Sequence, residues 1–243
     1  MEEHENLYEK IREILGGSPG KMRILEQQID MDLQMEYYEC SRKMREEMDE
    51  EQALKQARYL DEPGYSLLVK KEILAGLAAA GGVRTYRVIE AYMERVADDL
   101  KQWTMLALNE NRMNLESRLL DESQVFISTG LGGNEEKLRY FVVLISKGEL
   151  PLGEHQKKII SNEFDFILKK YDADIEEVNY SDYLATLLLL IPMEHSLKMV
   201  FHEAIDECNK YGDFLKEDFI VTNVKTLSFE EIKEHLNKEG DSA

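Results

Sequence analysis

Basic residues are scarce in this chain: 30 Lys and Arg stand against 49 Asp and Glu, a net charge of −19. Nucleic-acid binding draws much of its affinity from cations that displace the counterions of phosphates. An acidic chain repels phosphate polymers and anionic membranes, so no nucleic acid and no membrane are expected among its partners. Cysteine is nearly absent, with Cys40 and Cys208 on separate predicted helices. That excludes a disulfide framework and CxxC zinc or redox sites. Long apolar runs are missing too. The longest, Tyr183 to Met193, is about half of what a membrane helix requires. The opening MEEHENLYEK is acidic and lacks the apolar core of a signal peptide. By elimination, a cytoplasmic location is expected.

What is present is a soluble, globular balance of 43% hydrophobic and 33% charged residues. The 243 residues suffice for one large domain or two small ones. In the first half the periodicity is helical. From Met22 to Met48, Leu25, Ile29, Leu33, Tyr37, Cys40, Met44 and Met48 recur at steps of 4, 4, 4, 3, 4 and 4, one face of a helix. A short helix near Glu3 to Leu15 precedes it and ends at Gly16-Gly17. Further helices are predicted over Glu50–Leu60, Tyr65–Ala80, Arg84–Val96 and Leu100–Leu119, the last with Asp98 as N-cap.

The segments KKEILAGLAAAGG, VRTYRVIEAYMERV and DDLKQWTMLALNENR suggest helix, turn and helix with a small-residue face. Ile73-Leu74-Ala75 returns as Met105-Leu106-Ala107 after 32 residues. Residues 65–119 thereby resemble a HEAT-type α-solenoid, although stable solenoids usually need about three repeats. That resemblance implies protein binding along a curved surface. An ordinary helical bundle with an Ala-rich contact explains the same residues.

After Asp121 the pattern turns to β-branched and aromatic runs: Val125–Ser128 and Leu138–Ile145. A helix follows over Leu152–Tyr171, with an apolar stripe at Ile160, Phe164, Ile167, Leu168 and Tyr171. A short strand near Ile175–Asn179 precedes Tyr183–Ile191, whose near-continuous apolar character places it centrally in a sheet. Pro192 is expected to open the next helix, which runs to about Asn209. Phe219–Val224 reads as a strand, and Ser228 with Glu231 as the capping box of a last helix.

The stretch STGLGGNEEKLRY, Ser128 to Tyr140, has the glycines of a phosphate cradle but not its chemistry. A Walker loop needs Lys-Ser or Lys-Thr and a following helix. Here Asn134-Glu135-Glu136 and a strand follow. A hairpin joining Val125–Ser128 to Leu138–Ile145, with Gly130, Gly132 and Gly133 at a solvated tip, is expected. His202-Glu203-x-x-Asp206 echoes a zinc-protease HExxH motif without its second His, and His195 lies two turns away. These three point away from the apolar stripe and read better as solvated side chains. Asp172, Asp174 and Glu176 fall short of a calcium loop, since Glu177 stands where that loop requires Gly. No GxSxG elbow is present.

The expected fold is α+β. An all-helical domain (1–122), bundle or short HEAT-like solenoid, precedes an α+β domain (123–243) with helices on a small mixed sheet. The expected function is a cytoplasmic, non-enzymatic protein–protein interaction or adaptor module, without a cofactor. It would have a protein partner or self-associate. Tyr37, Tyr38 and Trp103 are its candidate interaction-surface residues, with core packing the first reading of Trp103 and a binding hot spot the reading if it is exposed. The alternatives are an enzyme with a cleft between the halves, such as a metal-assisted hydrolase using His195, His202 and Asp206, and a small-molecule-binding regulator using the C-terminal sheet.

Overall fold

The computed structural model describes residues 22–120 and 125–240. The helix expected near Glu3 to Leu15 lies outside them. In chain order the elements are β1 (Met22–Ile24), α1 (Met31–Glu47), α2 (Glu50–Gln56), α3 (Leu67–Ala80), α4 (Val83–Met93), α5 (Asp98–Leu120), β2 (Val125–Ile127), β3 (Gly133–Asn134) and β4 (Lys137–Ser146). Then follow α6 (Glu154–Lys170), β5 (Asp174–Ser181), β6 (Leu184–Pro192), α7 (Leu197–Asn209), β7 (Leu215–Thr222) and α8 (Phe229–Gly240). The protein has an α+β fold. The described residues divide into a helical unit, residues 22–23, 29–120 and 125–126, and a sheet unit, residues 24–28 and 127–240. No helix among the described residues is long and apolar enough to cross a membrane.

In the helical unit, α3 is the central element. Ile73 through Ala79 are all buried, as expected of a helix enclosed on all sides. Its C-terminus would leave carbonyls without partners, and side chains of α5 supply them. Asn111 Nδ2 donates to Leu77 O at 2.8 Å, Asn114 Nδ2 to Ala78 O at 3.2 Å, and Arg118 Nη1 to Gly81 O at 3.1 Å. The expected helix from Met22 begins only at Met31. Asp30 caps it by accepting from the amides of Asp32 and Leu33, and Met22–Ile24 pairs with β2 instead. Leu25 and Ile29 are buried at helical spacing without being helical.

A buried carboxylate ties α1 to α5. Glu110 accepts from Tyr37 Oη at 2.6 Å, Ser41 Oγ at 2.7 Å and Arg45 Nη2 at 2.8 Å. Tyr37 packs edge-on against Trp103, whose indole N–H donates to Lys71 O. Burial, then the Glu110 charge, pushes the Tyr37 phenol well above its ordinary range. Removing the carboxylate leaves two buried hydroxyls without their acceptor. Glu110→Ala is therefore expected to cost about 2–4 kcal/mol in a chemical-denaturation series.

The sheet unit follows a βαββαβ order through β4, α6, β5, β6, α7 and β7. Its four long strands lie in the order β7-β4-β6-β5, all pairings antiparallel, which is a ferredoxin-like arrangement. The β4–β6 register is continuous from Lys137↔Pro192 to Ile145↔Leu184. Alternation then sorts the side chains. Leu138, Tyr140, Val142 and Leu144 join the core beneath α6 and α7, while Phe141, Val143 and Ile145 face a smaller core closed by Leu131 and Ile232. Pro192 ends β6 rather than opening a helix, because the register with Lys137 extends the strand to it. The helix begins at Leu197, after a turn in which the His195 amide donates to Pro192 O.

The glycine stretch is not the tip of the expected hairpin. β2 pairs with β1, and the hairpin onto β4 is the two-residue strand β3, with Gly133 opposite Leu138. Gly130, Gly132 and Gly133 are buried, and only Asn134–Glu136 is exposed. They are glycine because backbone crowds them. A Cβ on Gly130 would lie 1.8 Å from Val224 O, and Gly132 (φ +69°) would place one 2.6 Å from Gln27 O. Gly130→Ala should therefore lower stability by about 3 kcal/mol. Gly64→Ala, with nothing within 4 Å, should lower it by no more than a few tenths. Parallel melting curves check the contrast.

The expected capping box of α8 is present: the Glu231 amide donates to Ser228 Oγ, and the Ser228 amide to Glu231 Oε2 at 2.8 Å. Lys225 and the Ser228 amide depress the Glu231 carboxyl to about 2. An unfolded Glu titrates near about 4.3, so the box contributes fully above that pH and is lost as pH falls toward 2. Protection of the α8 amides, relative to their intrinsic exchange rates, should fall over that interval in the native protein and show no such fall in Glu231→Gln.

Candidate functional site

The last turn of α6 and the second turn of α7 bring a polar cluster to one edge of the sheet unit. Tyr171 is the C-cap of α6, and its amide donates to Leu168 O. The chain leaves the helix through Asp172 in a left-handed conformation (φ +49°) and buries Ala173. The Tyr171 ring therefore rests against the core while its hydroxyl reaches outward. Apolar Val200, Phe201, Ala204, Ile205 and Cys208 anchor α7 on the sheet, which turns Glu203 to the opposite side.

The Tyr171 hydroxyl donates to Glu203 Oε2 at 2.5 Å, and Lys170 Nζ donates to Glu203 Oε1 at 2.9 Å. The two hydrogen bonds hold the Glu203 carboxyl below its usual range, Tyr171 first and Lys170 second. The same bond raises the Tyr171 phenol above its ordinary value. The pair is thus a neutral phenol donating to an ionised carboxylate, and both shifts hold the proton on Tyr171 in the structure as it stands. His195, from the turn between β6 and α7, packs edge-on against the Tyr171 ring at 5.1 Å between centroids.

The residues singled out from the sequence are dispersed. His195 meets Tyr171, His202 packs against Phe219, and Asp206 is exposed. Among the described residues, no group of three or more His, Cys, Asp or Glu side chains is placed to hold a metal ion. Tyr37 and Trp103 are core residues at 0% and 2% exposure, not surface residues, whereas Tyr38 is 38% exposed. Sequence reasoning missed Tyr171 and Glu203. Tyr171 ends an apolar stripe and reads as core, and Glu203 reads as part of an incomplete zinc motif. Lys170 beside a tyrosine at a helix end was the available signal.

A concavity of about 470 Å³ is lined by Glu26, Gln28, Arg139, Glu176, Glu177 and Leu188. Four of the five guanidinium donors of Arg139 are engaged there. Its guanidinium forks onto Glu176 and also donates to the carbonyls of Leu131 (2.7 Å) and Glu26 (3.3 Å). It holds the loop, β4 and β5 together, and the concavity is an architectural feature.

No protein-family model matches the chain. No curated protein matches it either. Among solved structures, the chain is similar to a candidate transposase from Deinococcus radiodurans R1, at 14% identity and a TM-score of 0.36. That match covers 44% of this chain and 93% of the other. It is also similar to a REP-associated tyrosine transposase bound to a REP hairpin, at 8% identity and a TM-score of 0.32, covering 41% of this chain and 62% of the other. Both neighbours are transposases by description, one of them bound to a REP hairpin. They run against the expectation of a non-enzymatic adaptor with HEAT-like protein binding and no nucleic-acid partner, and that expectation is withdrawn. At these scores the likeness assigns neither an activity nor a ligand to this chain.

Proposed function

We propose that this chain acts on nucleic acid, with the Tyr171 hydroxyl as the attacking group in a phosphodiester transfer. The observation that carries the reading is the 2.5 Å hydrogen bond from Tyr171 to Glu203, at an edge of the sheet unit rather than in its core. A tyrosine hydroxyl is a weak nucleophile until an adjacent base takes its proton. Glu203 is ionised and already in contact with that proton.

In the reaction, the Tyr171 oxygen forms a bond to phosphorus and the bond from phosphorus to a sugar oxygen breaks. The phenolic proton passes to Glu203, and the departing oxygen takes up a proton. The product is a tyrosyl phosphodiester, which preserves the energy of the broken linkage for rejoining. Lys170 offers a positive charge to the phosphate beside the attacking oxygen. In this reading the chemistry belongs to the α+β domain expected over 123–243, and the helical domain expected over 1–122 carries none. The two transposase neighbours are of the same class by name, but it is the Tyr171–Glu203 pair that supports the reading.

The overall charge of −19 makes binding depend on few local cations, so the salt dependence of affinity should be shallow. End-labelled single-stranded, hairpin and duplex DNA, incubated with the protein with and without a divalent cation, test the chemistry on a denaturing gel. A covalent protein–DNA adduct is expected. It should vanish in Tyr171→Phe and form about 10²–10⁴-fold more slowly in Glu203→Gln. No adduct on any of the three substrates, or an adduct that survives Tyr171→Phe, would overturn the reading.

A further inference from the structure

We infer that His195 is the general acid of this site, giving a proton to the sugar oxygen that leaves phosphorus. The inference rests on the reading of Tyr171 as the attacking group, and it adds a role that the Tyr171–Glu203 pair leaves open. An in-line displacement needs two proton carriers, one at the attacking oxygen and one at the leaving oxygen on the far side of phosphorus. Glu203 fills the first position. As an ionised carboxylate it has no proton to give at the second until it has taken one from Tyr171.

Of the other groups around Tyr171, Lys170 is engaged with Glu203. His195 arrives from a different element, the turn after β6, while Glu203 lies on α7. Its ring stands at 72° to the Tyr171 ring, with 5.1 Å between centroids, so the imidazole lies directly against the tyrosine. The turn is fixed by the His195 amide on Pro192 O at 3.3 Å. The imidazole remains partly accessible, at 26% exposure, so an incoming substrate can meet it. Glu194 Oε1 lies 3.7 Å from Nε2. Histidine is the side chain best suited to release a proton near neutral pH.

The balance is complete without an added reactant. Tyr171 loses its proton to Glu203, the oxygen–phosphorus bond forms, the bond to the sugar oxygen breaks, and His195 supplies that oxygen with a proton. Rejoining runs the same steps in reverse.

A leaving group that departs without a proton isolates the role. In DNA carrying a bridging sulfur in place of the scissile 5′ or 3′ oxygen, the departing thiolate needs no acid. Single-turnover formation of the Tyr171 adduct would be compared for wild-type, His195→Ala and His195→Phe, the last keeping an aromatic ring against Tyr171. Both variants are expected to be about 10²–10³-fold slower on the oxygen linkage. On one of the two sulfur linkages they should come within about threefold of wild-type, since an acid that is not required cannot be missed. Melting temperatures equal to wild-type verify folding. Equal losses on oxygen and on both sulfur linkages, or wild-type rates in both variants, would overturn the role of His195 and leave Tyr171 standing. Recovery in His195→Phe on the oxygen linkage would show that the ring only packs. Absence of any adduct in the wild-type protein removes the Tyr171 reading itself.

Discussion

The antiparallel pairing of Lys137–Ile145 with Leu184–Pro192 is the contact on which the sheet unit depends. The two strands are central, and β7 and β5 are hydrogen-bonded to their outer sides. A shift of one residue would exchange the two faces of each strand. Phe141, Val143 and Ile145 would then turn toward α6 and α7, and the larger core would lose Tyr140, Val142 and Leu144. Because both faces are buried, both faces oppose the slip. The register also places Pro192 opposite Lys137, and so sets where the turn carrying His195 begins.

From that frame the candidate site follows by packing. α6 and α7 lie on one face with their apolar stripes inward, a geometry that brings Lys170 and Tyr171 at the end of one helix to Glu203 on the other. Neither helix contains the site alone. The carboxylate is held ionised by a phenol and an ammonium from α6, and the phenol is kept protonated by that carboxylate. The helical unit uses a similar device for a different end. Glu110 also accepts from a tyrosine, but there the contact is buried beneath Trp103 and Ser41 and serves to fix two helices. Exposure separates the two pairs: one can meet a ligand and the other cannot.

Local patterns were readable where one residue's neighbours in sequence are also its neighbours in space. The apolar run Tyr183–Ile191 announces a central strand, and Leu184–Pro192 is one. Ser228 and Glu231 announce a capping box three residues apart, and it forms. The Met22–Met48 periodicity misleads at its start, because Leu25 and Ile29 are buried for tertiary reasons and Asp30 takes the cap. The glycines of Ser128–Tyr140 were legible as punctuation but not as crowding. What they approach, Val224 and Gln27, is about a hundred residues away in either direction. Tyr171 was hidden for a related reason: its ring is apolar and stripe-forming, while its hydroxyl finds Glu203 only across a helix–helix contact.

By itself the sequence determined the α+β class, the acidic surface, the central strand and most helix positions, because periodicity, caps and composition act over a few residues. Only the tertiary structure decided that the glycines are buried and that His195, His202 and Asp206 go separate ways. It also decided that Tyr171, Glu203, Lys170 and His195 meet. That meeting depends on strand register and on the packing of α6 against α7, which are set by contacts among residues distant in the chain and leave no periodic trace in it.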